Sequence, residues 1–176
     1  RILEINTPIL TGVDLLKIAN FNQPGLKAKK VSLLIKRIEE PATGKVLEKA
    51  LDNLFEQIDL AYNDGYNIII LSDRGVNKDN AAIPSLLAVS SVEQYLIRTK
   101  KRTKISIILE SAEVRDVHQA AMCLAYGARA INPYLAHEAI TELIDQKLLD
   151  KDYHTAINDY NKGVINGIVK IAAKMG

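Results

Sequence analysis

Apolar and polar positions along this chain follow two periods, and the switches between them mark its elements. Over 45–63, Leu47, Leu51, Leu54, Ile58 and Ala61 recur every three or four positions, the spacing of a helix with one buried stripe. Asp64-Gly65 closes that helix, and 67–71 is a short aliphatic run that suits a strand buried on both faces. A second helix is expected over 84–99, with Pro84 near its first turn, where a missing amide hydrogen costs little. A strand over 104–109 and a helix over 113–126 follow, with Gly127 as the left-handed cap. A brief strand over 128–131 leads to Asn132-Pro133, read as N-cap and first helical residue of a helix over 134–146. The last helix spans 152–174.

Upstream, 31–38 alternates well enough for a first strand, and 41–44 reads as a turn. Residues 1–30 are expected to be an irregular N-terminal connection, punctuated by Pro8, Gly12, Pro24 and Gly25, with one short helix at 13–19. Residues 31–176 then form a single α/β domain. Strands alternating with helices call for a parallel sheet of about four strands covered by helices, partial-barrel-like, with a long C-terminal helix. Four strands cannot close an eight-stranded barrel.

Three polar blocks begin where aliphatic runs end, which is where a parallel sheet presents the carboxyl ends of its strands. They bring Ser72, Asp73 and Arg74 towards Glu110, Ser111 and Glu113, with Asn132 and Tyr134 beside them. Carboxylates next to an arginine can act as acid–base pairs or can form an ion-paired network that orders loops. His118, at the margin of the apolar stripe of its helix, reads as a partly buried, hydrogen-bonded histidine.

Composition narrows the classes. The 176 residues, 48% hydrophobic, suit one globular domain that buries roughly 70% of its unfolded surface. Net charge is +2, from 23 basic and 21 acidic residues, which offers no electrostatic reason for nucleic acid or an anionic membrane. The basic string KKRTK at 100–104 reads as a solvated helix end whose cations complement the helix dipole. The lone Cys123 cannot form an internal disulfide or hold a cysteine-ligated cluster by itself, and it reads as a buried small hydrophobe. Neither a signal peptide nor an 18-residue apolar run occurs, so a soluble protein of a reducing, cytoplasmic compartment is expected. There is no HExxH, GxGxxG, GxxxxGK[ST] or GxSxG, and metal, dinucleotide, nucleoside triphosphate and hydrolase chemistry lack their usual frames.

The strings LSDRG, AIPSLLAVSSVEQYLIR and ESAEVRDVHQAAMCLAYGARAINPYLA, in that order and spacing, closely resemble the central domain of the glutamate synthase large subunit. The likeness covers most of the chain. It implies a domain without its own reaction, catalytic residue, cofactor or metal, inside an enzyme that makes glutamate from glutamine and 2-oxoglutarate. In that family an N-terminal cysteine hydrolyses glutamine, a barrel bearing FMN and an iron–sulfur cluster reductively aminates 2-oxoglutarate, and ammonia passes between them internally. The implied partners are those glutaminase and FMN-binding domains. The residues that choose ferredoxin or NAD(P)H as electron donor would lie elsewhere.

By the same resemblance, the loops carrying Ser72, Asp73, Arg74, Glu110, Ser111, Glu113, His118, Asn132 and Tyr134 are candidates for an interface or tunnel wall. The closing KMG leads into the next domain in that family, so the chain is expected to be an excised piece or a free-standing version. Two other readings remain. One is a free-standing small-molecule binder or aldolase-like enzyme using the strand ends, against which stand the lack of a lysine just inside that edge and of a phosphate loop; Lys78 has no evident reason for a lowered pKa. The other is an interaction module that pairs with another chain.

Overall fold

A computed structural model describes residues 3–37 and 44–175. The chain opens with α1 (Gly12–Ala19), started by a capping box in which Thr11 and Asp14 exchange hydrogen bonds. A short antiparallel pair follows, β1 (Asn22–Gln23) and β2 (Leu26–Ser32). Next come β3 (Leu34–Lys36), α2 (Gly44–Asn63), β4 (Ile68–Ser72), β5 (Asn80–Ala82) and α3 (Ser85–Arg98). The rest is β6 (Ser106–Glu110), α4 (Val117–Ala125), β7 (Ala128–Asn132), α5 (Tyr134–Asp145) and α6 (Tyr153–Met175).

The main sheet has five strands in the order β1-β2-β4-β6-β7, and the last four of these are mutually parallel. Its parallel strands lie in chain order, each linked to the next through a helix. A separate antiparallel pair, β3 with β5, sits beyond the carboxyl ends of β2 and β4.

Alternation along the strands sorts side chains to two faces. Ile69, Leu71, Ile107, Leu109 and Ile131 point to one side, where α2, α3, α4 and α6 pack through Leu54, Ile58, Val92, Leu96, Cys123 and Val164. Ile68, Ile70, Ile108 and Ala130 point to the other, which among the described residues the N-terminal segment and α1 cover, through Leu10, Leu15 and Ile18. That segment is fastened to β7: the Ile131 amide donates to Pro8 and the Leu10 amide to Ile131, at 2.7 and 2.8 Å. Helix α4 packs against α6. A Cβ on Gly167 would stand 2.5 Å from the Val117 methyls, so glycine is what lets the two helices approach.

The observed sheet corrects the expected one. It has five strands, and a strand begins at Leu26, inside the stretch expected to be irregular. The expected strand over 31–38 is two elements, because the chain leaves the main sheet at Leu33 and turns into the β3–β5 pair. The part of that strand at Ile38 and the expected turn at 41–43 lie outside the described residues. Helix α4 starts at Val117 instead of 113, because Asp116 and Gln119 form a capping box that fixes the start. Asn132 is not the N-cap of α5; it ends β7, Pro133 takes the cap position, and the Asn132 side-chain Nδ2 donates to the Leu10 carbonyl.

Candidate functional site

Parallel register brings the strand ends into a row. Ser72 pairs with Glu110, and Glu110 with Asn132. Glu110 is buried at the centre, and three donors converge on its carboxylate. Ser72 Oγ donates to Oε2 at 2.5 Å, Lys30 Nζ lies 2.6 Å from the same oxygen, and Arg74 Nε donates to Oε1 at 3.0 Å. Burial alone would raise the Glu110 pKa; the bonds from Lys30, Ser72 and Arg74 outweigh it and hold the carboxyl below its ordinary value.

Arg74 extends the network outwards. Its Nη1 bonds Glu138 of α5 at 2.8 Å, and its guanidinium lies 3.8 Å from the centroid of the Tyr134 ring. The Tyr134 phenol is pushed up, first by burial and then by the charge of Asp73 and a hydrogen bond to it. Asp73 also accepts from the Ala112 amide at 2.9 Å and from Ser111 Oγ at 3.1 Å. Ser111 Oγ meets Ser85 Oγ at 2.7 Å and accepts from the Glu113 amide at 3.0 Å. Glu113 in turn accepts from the Ser85 amide at 2.6 Å. It thereby caps α3, whose N-cap, Pro84, has no side chain able to do so.

Eight of the nine expected residues therefore gather at one edge, in two hydrogen-bonded groups joined through Tyr134, with Asn132 at the end of the row. His118 does not join them. It lies exposed in the first turn of α4, because the late start of that helix turns it to solvent, and the expectation that it is partly buried is corrected. The buried histidine is His137 of α5, whose Nε2 is 2.9 Å from Asn161 Oδ1 of α6. Lys30, Ser85 and Glu138 complete the networks and were not expected from sequence. A lysine does stand just inside the strand-end edge, and it is committed to Glu110 as an ion pair.

Of the basic string, Lys101 pairs with Asp59 and Arg102 with Glu93, so part of it ties α3 to its surroundings. Cys123 is buried, and burial, with the charge of Glu113, pushes its thiol up to about 11. Among the described residues no cluster of three or more His, Cys, Asp or Glu could hold a metal ion, and no helix is long and apolar enough to cross a membrane.

The arrangement orders loops. Its central carboxylate is held ionised by two cations and a hydroxyl, and the serine hydroxyls are bonded to one another or to carboxylates, with no histidine among their partners in the described residues. A buried Glu needs such partners to offset desolvation. What it presents outwards is the half-exposed guanidinium of Arg74 stacked on Tyr134.

Comparison with known proteins agrees with the sequence resemblance. The family model described as glutamate synthase central domain matches residues 1–176. The glutamate synthase [NADPH] large chain of Bacillus subtilis (strain 168) is 39% identical over 176 residues, covering 100% of this chain and 11% of that protein. The glutamate synthase [NADH] of Schizosaccharomyces pombe is 33% identical over 180 residues, and the ferredoxin-dependent glutamate synthase of Cyanidium caldarium 35% over 189. Both matches cover this whole chain, and 8% and 12% of those proteins. The chain thus spans about a tenth of the length of these relatives and, by family match and identity alike, belongs to the glutamate synthase central domain family.

Proposed function

We propose that this chain is the connecting, non-catalytic domain of a cytoplasmic glutamate synthase. It holds a glutaminase domain and an FMN- and iron–sulfur-bearing synthase domain in register, and contributes wall to the internal path taken by ammonia. The four parallel strands in chain order would form an open, partial-barrel-like arc whose carboxyl edge faces those domains. The observation that carries this reading is the commitment of Glu110 to Lys30, Ser72 and Arg74, which uses the strand-end charges to order loops.

The task has a physical requirement. Ammonia acquires a proton in water at neutral pH, and the resulting cation is heavily penalised in an apolar passage, so the path must exclude water and its walls must be rigid. Loops whose charges are internally paired meet that requirement better than mobile, solvated ones. Relatives named for NADPH, NADH and ferredoxin all match the whole chain, which supports a domain that takes no part in choosing the electron donor.

The test is made in a complete glutamate synthase carrying this domain with Arg74→Ala. Glutamate formation from glutamine should fall severalfold and ammonia should appear in the medium, while formation from added ammonium persists. Equal loss in both reactions, or unchanged coupling, would overturn the proposal.

A further inference from the structure

At the opposite rim of the sheet from the charged network, where the parallel strands begin, lies a cavity of about 450 Å³. Its floor is apolar, made by Ile68, Ile108 and Ala130, and Leu3 and Ile5 of the N-terminal segment wall it. Around the mouth stand Lys104, Ser106 and Arg129, and among the described residues no acidic side chain lines the space. The size falls within the range of small-molecule sites.

Arg129 reaches this cavity because of an irregularity in β7. Ala128 pairs with Ile107 and Ala130 with Ile108, so Arg129 is an inserted residue with no counterpart on β6. Ala128 and Ile131 belong to the core on the helix-covered side, whereas Ala130 belongs to the other. In an uninterrupted strand residue 129 would face away from residue 130; here both line the same cavity. A β-bulge that turns an arginine over an apolar cleft re-aims a side chain at the cost of ladder regularity. Among the described residues, neither the Arg129 nor the Lys104 side chain has an ion pair or hydrogen bond. Asn67, at the same rim, is already engaged by the Lys27 amide and the Gly25 carbonyl.

From this arrangement we infer that the cavity binds a small amphipathic carboxylate, its anionic group on Arg129 and Lys104 and its apolar body against Ile68, Ile108 and Ala130. A guanidinium presents a planar fork that matches a carboxylate with two hydrogen bonds, and an apolar floor rewards a hydrophobic remainder. The site is independent of the connecting role proposed above, since it uses none of the strand-end residues.

The experiment uses the complete polypeptide that carries this domain and follows para-trifluoromethylbenzoate by ligand-observed fluorine NMR. Saturable binding is expected, weakened about tenfold or more by Arg129→Ala through loss of a charge-assisted contact, and partly retained in Arg129→Lys. The neutral isostere, para-trifluoromethylbenzyl alcohol, should bind much more weakly. Arg129 is exposed, so its replacement leaves the core intact. The inference is overturned by absence of saturable binding in the unaltered protein, by equal affinity for the alcohol, or by unchanged affinity in both Arg129→Ala and Lys104→Ala.

Discussion

Replacing Glu110 by glutamine keeps the shape of the side chain and removes the charge on which three donors converge. Glutamine offers one acceptor oxygen where the carboxylate offers two. If that oxygen serves Ser72, the amide nitrogen confronts Arg74 Nε, donor against donor; reversing the amide turns its nitrogen on Lys30 Nζ instead and leaves the proton of the buried Ser72 hydroxyl without its carboxylate acceptor. Lys30 and Arg74 are about half exposed, so each pair is counted at no more than a surface ion pair, up to about 1 kcal/mol. Leaving one buried polar group poorly bonded adds about 1 kcal/mol or more. The expected loss is about 2 kcal/mol at pH 7, read as a shift in the urea unfolding midpoint at unchanged slope.

Acid supplies a second reading of the same change. The Glu110 carboxyl is lowered from its ordinary 4.5 in the fold, so its stabilisation is fully present above that value and disappears as pH falls through the folded pKa. The gap between the unaltered protein and Glu110→Gln should therefore narrow in acid below about pH 4.5. A loss under about 0.5 kcal/mol at pH 7, or a gap that stays constant into acid, would refute the account of Glu110 as a paired, ionised anchor.

Three further outcomes are expected. Two glycines of α6 should respond in opposite directions. Gly163→Ala, with open space around it, should stabilise by about 0.5–1 kcal/mol through helix propensity, and Gly167→Ala should destabilise by about 1–2 kcal/mol because the branched Val117 cannot yield; thermal unfolding of both decides. His137 is lowered by burial, partly offset by its bond to Asn161, so its stabilisation holds above its ordinary 6.5 and is lost as pH falls through the folded value; His137→Gln should remove that part of the pH dependence of unfolding. Cys123, with its thiol pushed up to about 11, should resist alkylation at pH 8 in the folded protein and react at an ordinary rate in urea, as mass spectrometry would show.

Much of the helix-covered face was legible because its information is local. The stripe of α2, the aliphatic runs of β4 and β6 and the glycine after α4 each declare themselves within a few residues. The strand at Leu26–Ser32 did not, because LKAKKVS reads as polar. Lys27 is half-buried, Lys29 is exposed, and Lys30 is spent on Glu110 of β6, a partner eighty residues away. His118 was misplaced for a local reason, since the Asp116–Gln119 cap competes with the apolar pattern and sets the helix phase. His137 and Asn132 were hidden for a distant one: their partners, Asn161 and Leu10, lie on other elements. The strand-end cluster could be assembled from sequence because parallel strands align their ends, whereas its pairing depends on register, which no single strand reveals.

The clasp between the N-terminal segment and β7 also dictates an order of events in folding. Pro8 and Leu10 bond to Ile131, and Asn132 to Leu10 across 122 positions, so these contacts cannot form until β7 has been made and docked. A chain emerging from the ribosome can lay α2 and α3 against the first parallel strands while the opposite face, with Ile68, Ile70 and Ile108, still waits for Leu10 to be seated on it. During that interval the face is shielded by α1 alone, through Leu15 and Ile18. The rate at which the clasp closes sets how long the nascent domain is open to aggregation or in need of a chaperone.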